Sequence, residues 1–269
     1  MRVLPMRHNA RRYPRIPRPL RTPPADATPS SPPQRLVPAP SQPYTPTRAE
    51  KRGLTPPTLN QDRYLFDAIL TQAQSTSRVL EFGAGTEQFA IALRQLHLDV
   101  TAVTPDATLR GSLITNGIPD SRSAAKLLAS SFDLIYSFDA LERIEQDAEA
   151  LRQLHASLRP EGRLLLCVPA FTLLYSSRDA KAGRLRRYSR RRLCSAVTAA
   201  GFRIERVRYM DSLGVFAALL FKLLARDAGD EHSTARKVYD RVVFPVSVCL
   251  DVLTRRWLGR NLLLIARQR

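Results

Sequence analysis

From residue 61 to the end of the chain, short apolar runs alternate with stretches whose apolar residues recur at helical spacing, and this rhythm constrains the fold most. Leu65, Ala68, Ile69 and Gln72 share one helical face ahead of a predicted strand at 78–82. Gly83-Ala84-Gly85 ends that strand, and Thr86 supplies an N-cap for a helix with Phe89, Ala90, Leu93 and Leu96 on its apolar side. A second strand is predicted over 100–103, with Pro105 opening a turn or short helix. Residues 113–131 fit a weak third strand and a helix. A buried strand follows at 132–137, then a helix over 147–158 with Leu151, Leu154, His155 and Leu158 inward. Arg159-Pro160-Glu161-Gly162 stops it before a strand at 163–168. A helix at 191–200, closed by Gly201, leads into a strand at 202–209. Two largely apolar helical stretches, at 212–226 and 234–256, precede a last strand at 261–267. This order predicts the α/β class: a doubly wound, mostly parallel sheet that binds ligands beyond the carboxyl ends of its strands. About fifty residues separate the last two strands, far more than a normal connection. A helical insertion over 212–258 is therefore expected, as a lid or surface patch over one edge of the binding face.

Residues 1–60 follow a different logic, with 15 of the 20 prolines, 11 basic residues and only two acids, Asp26 and Glu50. Proline at this density removes backbone donors and blocks helices, and few large apolar side chains are present to offset chain entropy. A disordered tail over 1–58 and one folded domain over 59–269 are expected. Pro5, Pro14, Pro17 and Pro19 break the amphipathic helix an organellar transit peptide needs, and the start lacks the apolar segment of a secretory signal. Cys167, Cys194 and Cys249 lie far apart, with no C-x-x-C pair and no histidine at ligand spacing. That pattern argues against a disulfide framework or metal site and for a reducing, cytoplasmic compartment. No apolar run reaches the roughly 18 residues of a membrane span. The longest, 213–224, is interrupted by Lys222 and fits either a lid helix on the core or an interfacial helix making a peripheral membrane contact.

Specific motifs narrow the class. Val79-Leu80-Glu81-Phe82-Gly83-Ala84-Gly85-Thr86 resembles the nucleotide-binding loop of class I S-adenosylmethionine-dependent methyltransferases. Ser131-Phe132-Asp133-Leu134-Ile135-Tyr136-Ser137 is similar to their fourth strand, and Leu141-Glu142-Arg143-Ile144 to the segment after it. Leu158-Arg159-Pro160-Glu161-Gly162-Arg163 resembles the turn into their fifth strand. The segments occur in the family's order over about residues 60–210. Gly183-Arg184-Leu185-Arg186-Arg187-Tyr188-Ser189 further resembles a subgroup with a Gly-His-Tyr-Arg-Arg-Tyr-like loop, and the stretch from Tyr239-Asp240-Arg241 to Asn261-Leu262-Leu263 looks like that subgroup too.

The resemblance implies a Rossmann-like methyltransferase fold with S-adenosyl-L-methionine as cofactor. It places Glu81 near the cofactor's methionine end and Gly83, Ala84 and Gly85 under its backbone approach; glycines there keep a Cβ out of the way. Thr104 aligns with an acid that accepts hydrogen bonds from the ribose hydroxyls, Asp106 is the alternative ribose contact, and Asp139 completes the implied cofactor set. Four positions depart from the family: Glu87 replaces a third glycine, Thr104 the ribose acid, and Arg143 and Arg184 two histidines. A carboxylate at 87 suits the start of a helix but adds negative charge beside the cofactor's carboxylate.

No general base is evident. His155 has the leucine spacing of a packing residue, His97 ends a helix as a capping cation, and His8 and His232 sit in polar surroundings. Tyr175, Asp179, Arg187 and Tyr188 flank the basic loop after the fifth strand, where this fold places acceptors. Residues 178–210 carry eleven Lys or Arg against Asp179 and Glu205, which suits an anionic acceptor or headgroup, or for Arg190–Arg192 a solvated helix face. The expected activity is methyl transfer to a small-molecule, glycan or lipid-linked acceptor. The alternative is a catalytically degenerate binding or scaffold protein on the same fold. Nucleic acid is not an expected partner, since the basic segments lack interleaved aromatics.

Overall fold

A strand covered on both faces needs no polar alternation, and β1 (Arg78–Phe82), buried over its last four residues, is built that way. The computed structural model describes residues 59–83, 87–104, 106–119, 131–223 and 239–269. The predicted tail, Ala84, Gly85, Thr86, Pro105 and most of the weak 113–131 segment lie outside the described residues. The chain runs α1 (Asn60–Gln72), β1, α2 (Gln88–Gln95), β2 (Asp99–Val103), α3 (Ala107–Thr115), β3 (Phe132–Phe138), α4 (Asp147–Ser157) and β4 (Leu158–Pro169). It continues through α5 (Ser177–Lys181), α6 (Arg190–Ala199), β5 (Arg203–Met210), α7 (Ser212–Leu223), a π-turn (Tyr239–Val243), α8 (Phe244–Thr254) and β6 (Asn261–Arg267).

The six strands lie in the order β2-β1-β3-β4-β6-β5. β2, β1, β3 and β4 are parallel, whereas β6 runs antiparallel to both β4 and β5. Successive side chains on one strand face opposite layers. Val79, Leu134 and Tyr136 therefore join Leu65, Ile69, Phe89 and Leu93 of α1 and α2 on one side. Leu80, Ile135 and Leu164 join Leu151 and Leu154 of α4 and Leu193 and Val197 of α6 on the other. The sheet is thus doubly wound and mostly parallel, as the alternation predicts.

Two local readings change and a third holds. The turn at 159–162 does not precede the strand but interrupts it: Phe132 pairs with Leu158 and Leu134 with Arg163, and Glu161 turns the excursion at φ 68°. His97 acts through its backbone, closing α2 in the left-handed region (φ 61°) that glycine usually fills. His155, by contrast, packs edge-on against Phe202 at 4.9 Å, as a packing residue should.

The insertion is tied to the sheet by buried carboxylates. Asp240 accepts from the Asn60 and Gln61 amides at 2.7 and 3.0 Å, capping α1 from far along the chain. Asp251 accepts from the Asp211 and Ser212 amides at 2.7 and 2.9 Å, and Ser247 Oγ from the Leu213 amide at 3.0 Å. Asp211 in turn receives Tyr239 Oη and pairs with Arg260 Nε at 3.0 Å. A side chain at Gly214 would meet Asp211 Oδ2 at 2.2 Å, so this junction requires glycine.

Candidate active site

The carboxyl ends of β1 and β3 set the site. Glu81 and Tyr136 are register partners on these neighbouring strands, so their side chains emerge on the same face. Phe89 stands edge-on to Tyr136 and Phe138 at 6.4 and 5.6 Å, walling this corner with rings. Within it Glu81 is only 5% exposed. Burial, reinforced by the like charge of Glu87, pushes its carboxyl up to about 8. The Tyr136 hydroxyl lies near enough to offset part of that rise, but not in hydrogen-bonding geometry. Glu81 Oε2 and Tyr136 Oη are both buried without a hydrogen-bond partner among the described residues. Gly83 follows at φ 82°, its amide donating to Val103 O at 2.9 Å.

The second strand ends differently. Thr104 is fully buried, and its Oγ1 accepts from the Asp106 amide at 3.2 Å. Asp106 Oδ1 accepts from the Thr108 and Leu109 amides at 2.9 and 3.4 Å, so one oxygen of the alternative ribose contact caps α3. Glu87 accepts from Ser112 Oγ at 3.3 Å, between α2 and α3.

The basic loop folds inward rather than outward. Arg184 spans three carboxylates, with Asp139 and Glu142 at 3.3 Å and Asp179 at 3.4 Å. Arg187 forks onto both oxygens of Asp179 at 3.0 Å and reaches Ala170 O at 3.2 Å. Arg143 joins the end of β3 to the loop through Asp139 O and Ala182 O. Tyr175 Oη donates to Arg184 O at 2.9 Å, and Tyr188 Oη to Asp147 at 2.7 Å. Burial raises the Tyr188 hydroxyl, and its bond to Asp147 raises it further. Burial also drives the Glu142 carboxyl well up, with Asp139 adding to the rise and Arg184 opposing it. The four acceptor-side candidates thus come together, but as the frame of the loop, and the excess of arginine there is largely neutralised by acids from other elements. Among the described residues, no group of three or more His, Cys, Asp or Glu is placed to hold a metal ion.

A family model described as the methyltransferase domain matches residues 58–207, more than half of the chain. The chain belongs to this methyltransferase family. Among solved structures it resembles an S-adenosylmethionine-dependent methyltransferase from Mesorhizobium loti, at 18% identity over 77% of this chain and 97% of that one, with a TM-score of 0.53. It also resembles phosphoethanolamine N-methyltransferase 2 of Haemonchus contortus, solved with S-adenosyl-L-methionine (16% identity, 76% and 52% covered, TM-score 0.51). The cyclase SpnF is similar at 22% identity, with 77% and 81% covered and a TM-score of 0.51. These likenesses establish the fold and not an activity. A search of curated proteins gives no match.

S-adenosyl-L-methionine is the cofactor that membership of this methyltransferase family indicates. Where the family resemblance places the methionine end, the residues present fit it: a buried carboxyl with an unpartnered oxygen can take an ammonium group and Gly83 lets the backbone turn sharply. Where the resemblance places the ribose the fit is poorer, because Thr104 offers one neutral hydroxyl, which already accepts from the Asp106 amide, in place of a carboxylate. Arg143 and Arg184, which stand where the family resemblance places histidines, are clamps that close the loop over the end of β3. Sequence reasoning missed Tyr136 and Glu142. Both lay inside recognised segments, and the acidic Glu142 facing an arginine-rich loop was the available clue.

Proposed function

We propose that this chain transfers the methyl group of S-adenosyl-L-methionine to a small-molecule, glycan or lipid-linked acceptor at the mouth of loop 183–189, and that it belongs to the subgroup this loop resembles. The observation that carries the reading is the buried Glu81 carboxyl near the end of β1, whose Oε2 has no hydrogen-bond partner among the described residues. The cofactor supplies a methyl group made electrophilic by its sulfonium centre. Glu81 provides the counter-charge for the ammonium end, and Gly83 holds the backbone close. The rings of Phe89, Tyr136 and Phe138 keep water from one wall, and Arg143 with Arg184 fixes the loop that borders the acceptor side. Alignment and exclusion of water are the main demands of methyl transfer to a nucleophile that is already competent.

Titration with S-adenosylhomocysteine tests the reading. Wild type should bind, and Thr104→Asp should bind roughly tenfold to a hundredfold tighter, as expected for a charged hydrogen bond of about 1.5–3 kcal/mol. Glu87→Gly removes a like charge that adds to the effect of burial on Glu81, so it should tighten binding through a different end of the cofactor. The two gains should add approximately if the sites are independent. Circular dichroism checks that each variant folds. Absence of binding in wild type and in both folded variants would leave the scaffold reading in its place.

A further inference from the structure

α8 is apolar on its outward side, yet only its inward side is used by the fold. Phe244, Ser247 and Asp251 face inward and are buried. Outward, Val246, Leu250, Leu253 and Trp257 follow one another at helical spacing, with Leu253 75% and Trp257 74% exposed. α7 packs beside α8 and adds exposed Phe216 and Leu219. An exposed apolar surface of this kind marks an interaction site.

On the described part of the insertion the exposed charge is of one sign. Among the described residues after Asp211, the only acids are Asp240 and Asp251, and both are buried as caps for α1 and α7. Arg241 precedes the apolar face and Arg255 and Arg256 follow it, all three exposed. Apolar side chains flanked by arginines, with tryptophan at the boundary, match the interface of a bilayer containing anionic lipid. With 11 residues, α8 extends about 16 Å, half the hydrocarbon thickness, so it can lie in the surface and not cross it. No described helix is long and apolar enough to span a membrane.

We propose that the outer face of α7 and α8 docks on anionic membranes, with Leu250, Leu253 and Trp257 entering the interface and Arg241, Arg255 and Arg256 meeting lipid phosphates. Docking does not depend on cofactor binding, so its failure leaves the proposed activity standing.

Trp257 is the single tryptophan of the chain, which makes its fluorescence a site-specific reporter. The full chain is mixed with vesicles of phosphatidylcholine alone or with added phosphatidylglycerol, and sedimentation and Trp257 emission are followed. The expected result is binding that requires phosphatidylglycerol, a blue shift of Trp257, and a loss of at least roughly tenfold in partitioning for Leu250→Ser/Leu253→Ser. These exposed, charge-neutral changes should leave the circular dichroism spectrum intact. Vesicle binding with unmoved Trp257 emission and no effect of the serines would assign it to the basic tail and overturn the proposal. A concentration-dependent dimer broken by the serines, without vesicle binding, would overturn it in favour of self-association.

Discussion

Arg187→Leu will cost about 3–5 kcal/mol of folding free energy, the range for removing one partner of a buried ion pair. Asp179 is 1% exposed and receives both Nε and Nη2 of Arg187, while Nη1 holds Ala170 O at the end of β4. Deleting the guanidinium leaves that carboxylate with Arg184 at 3.4 Å and the Ser176 amide and hydroxyl at 3.0 and 3.4 Å. Those contacts cannot replace two charge-assisted bonds in a site closed to water. Lysine at 187 should recover only part of the loss, because a single ammonium cannot fork. Adding Asp179→Asn to Arg187→Leu should also recover part, by removing the stranded charge. Denaturant unfolding of the full chain measures all four proteins. A loss below about 1 kcal/mol in Arg187→Leu would place this pair among ordinary surface salt bridges and refute its structural role.

The doubly wound sheet was legible because burial on both faces leaves an unmistakable pattern of short apolar strands between periodic helices. Leu80 and Ile135 need no partner to be identified, only their place in a short apolar run. The candidate site was picked out in the sequence by Glu81 and Gly83 at the end of the first strand, whereas the side-chain pairings of the basic loop were not legible. Asp179 and Arg187 read as acceptor-side candidates because a run of arginines looks available to an anionic acceptor until the carboxylates that neutralise it are placed. Asp139 and Glu142 lie about forty positions earlier, joined to the loop only because β3 and β4 are adjacent in the sheet. The same holds for Asp240, whose role as a cap for α1 spans 180 positions. Periodicity reports what a segment buries; it does not report which far segment supplies its counter-charge.

Glu81→Gln will stabilise the protein without ligand while nearly abolishing cofactor binding. The Glu81 carboxyl titrates near 8 in the folded chain, against 4.5 for an ordinary glutamate. Between these values the unfolded chain has released this proton and the folded chain still holds it. The folded state therefore binds more protons, and stability falls as pH rises from about 4.5 to about 8, then levels off. Glutamine carries no such proton. The advantage in melting temperature of Glu81→Gln over wild type should be near zero in mild acid and largest at or above pH 8, at about 2–4 °C per kcal/mol for a domain of this size. Glu142, also raised by burial, sends stability the same way, but it is common to both proteins and cancels in the difference. Binding should run opposite. The ammonium of S-adenosylhomocysteine requires the carboxylate, so wild-type affinity should rise with pH up to about 8, by close to tenfold per unit well below it. Removing one partner of a buried, hydrogen-bonded charge pair costs about 2–5 kcal/mol, so Glu81→Gln should bind roughly thirtyfold to a few thousandfold more weakly and lose the pH slope. Calorimetric titration and thermal melts across this pH range supply both readouts. If Glu81→Gln bound as tightly as wild type and kept the slope, Glu81 would not be the counter-charge, and the cofactor's methionine end would have to be sought elsewhere in the cleft.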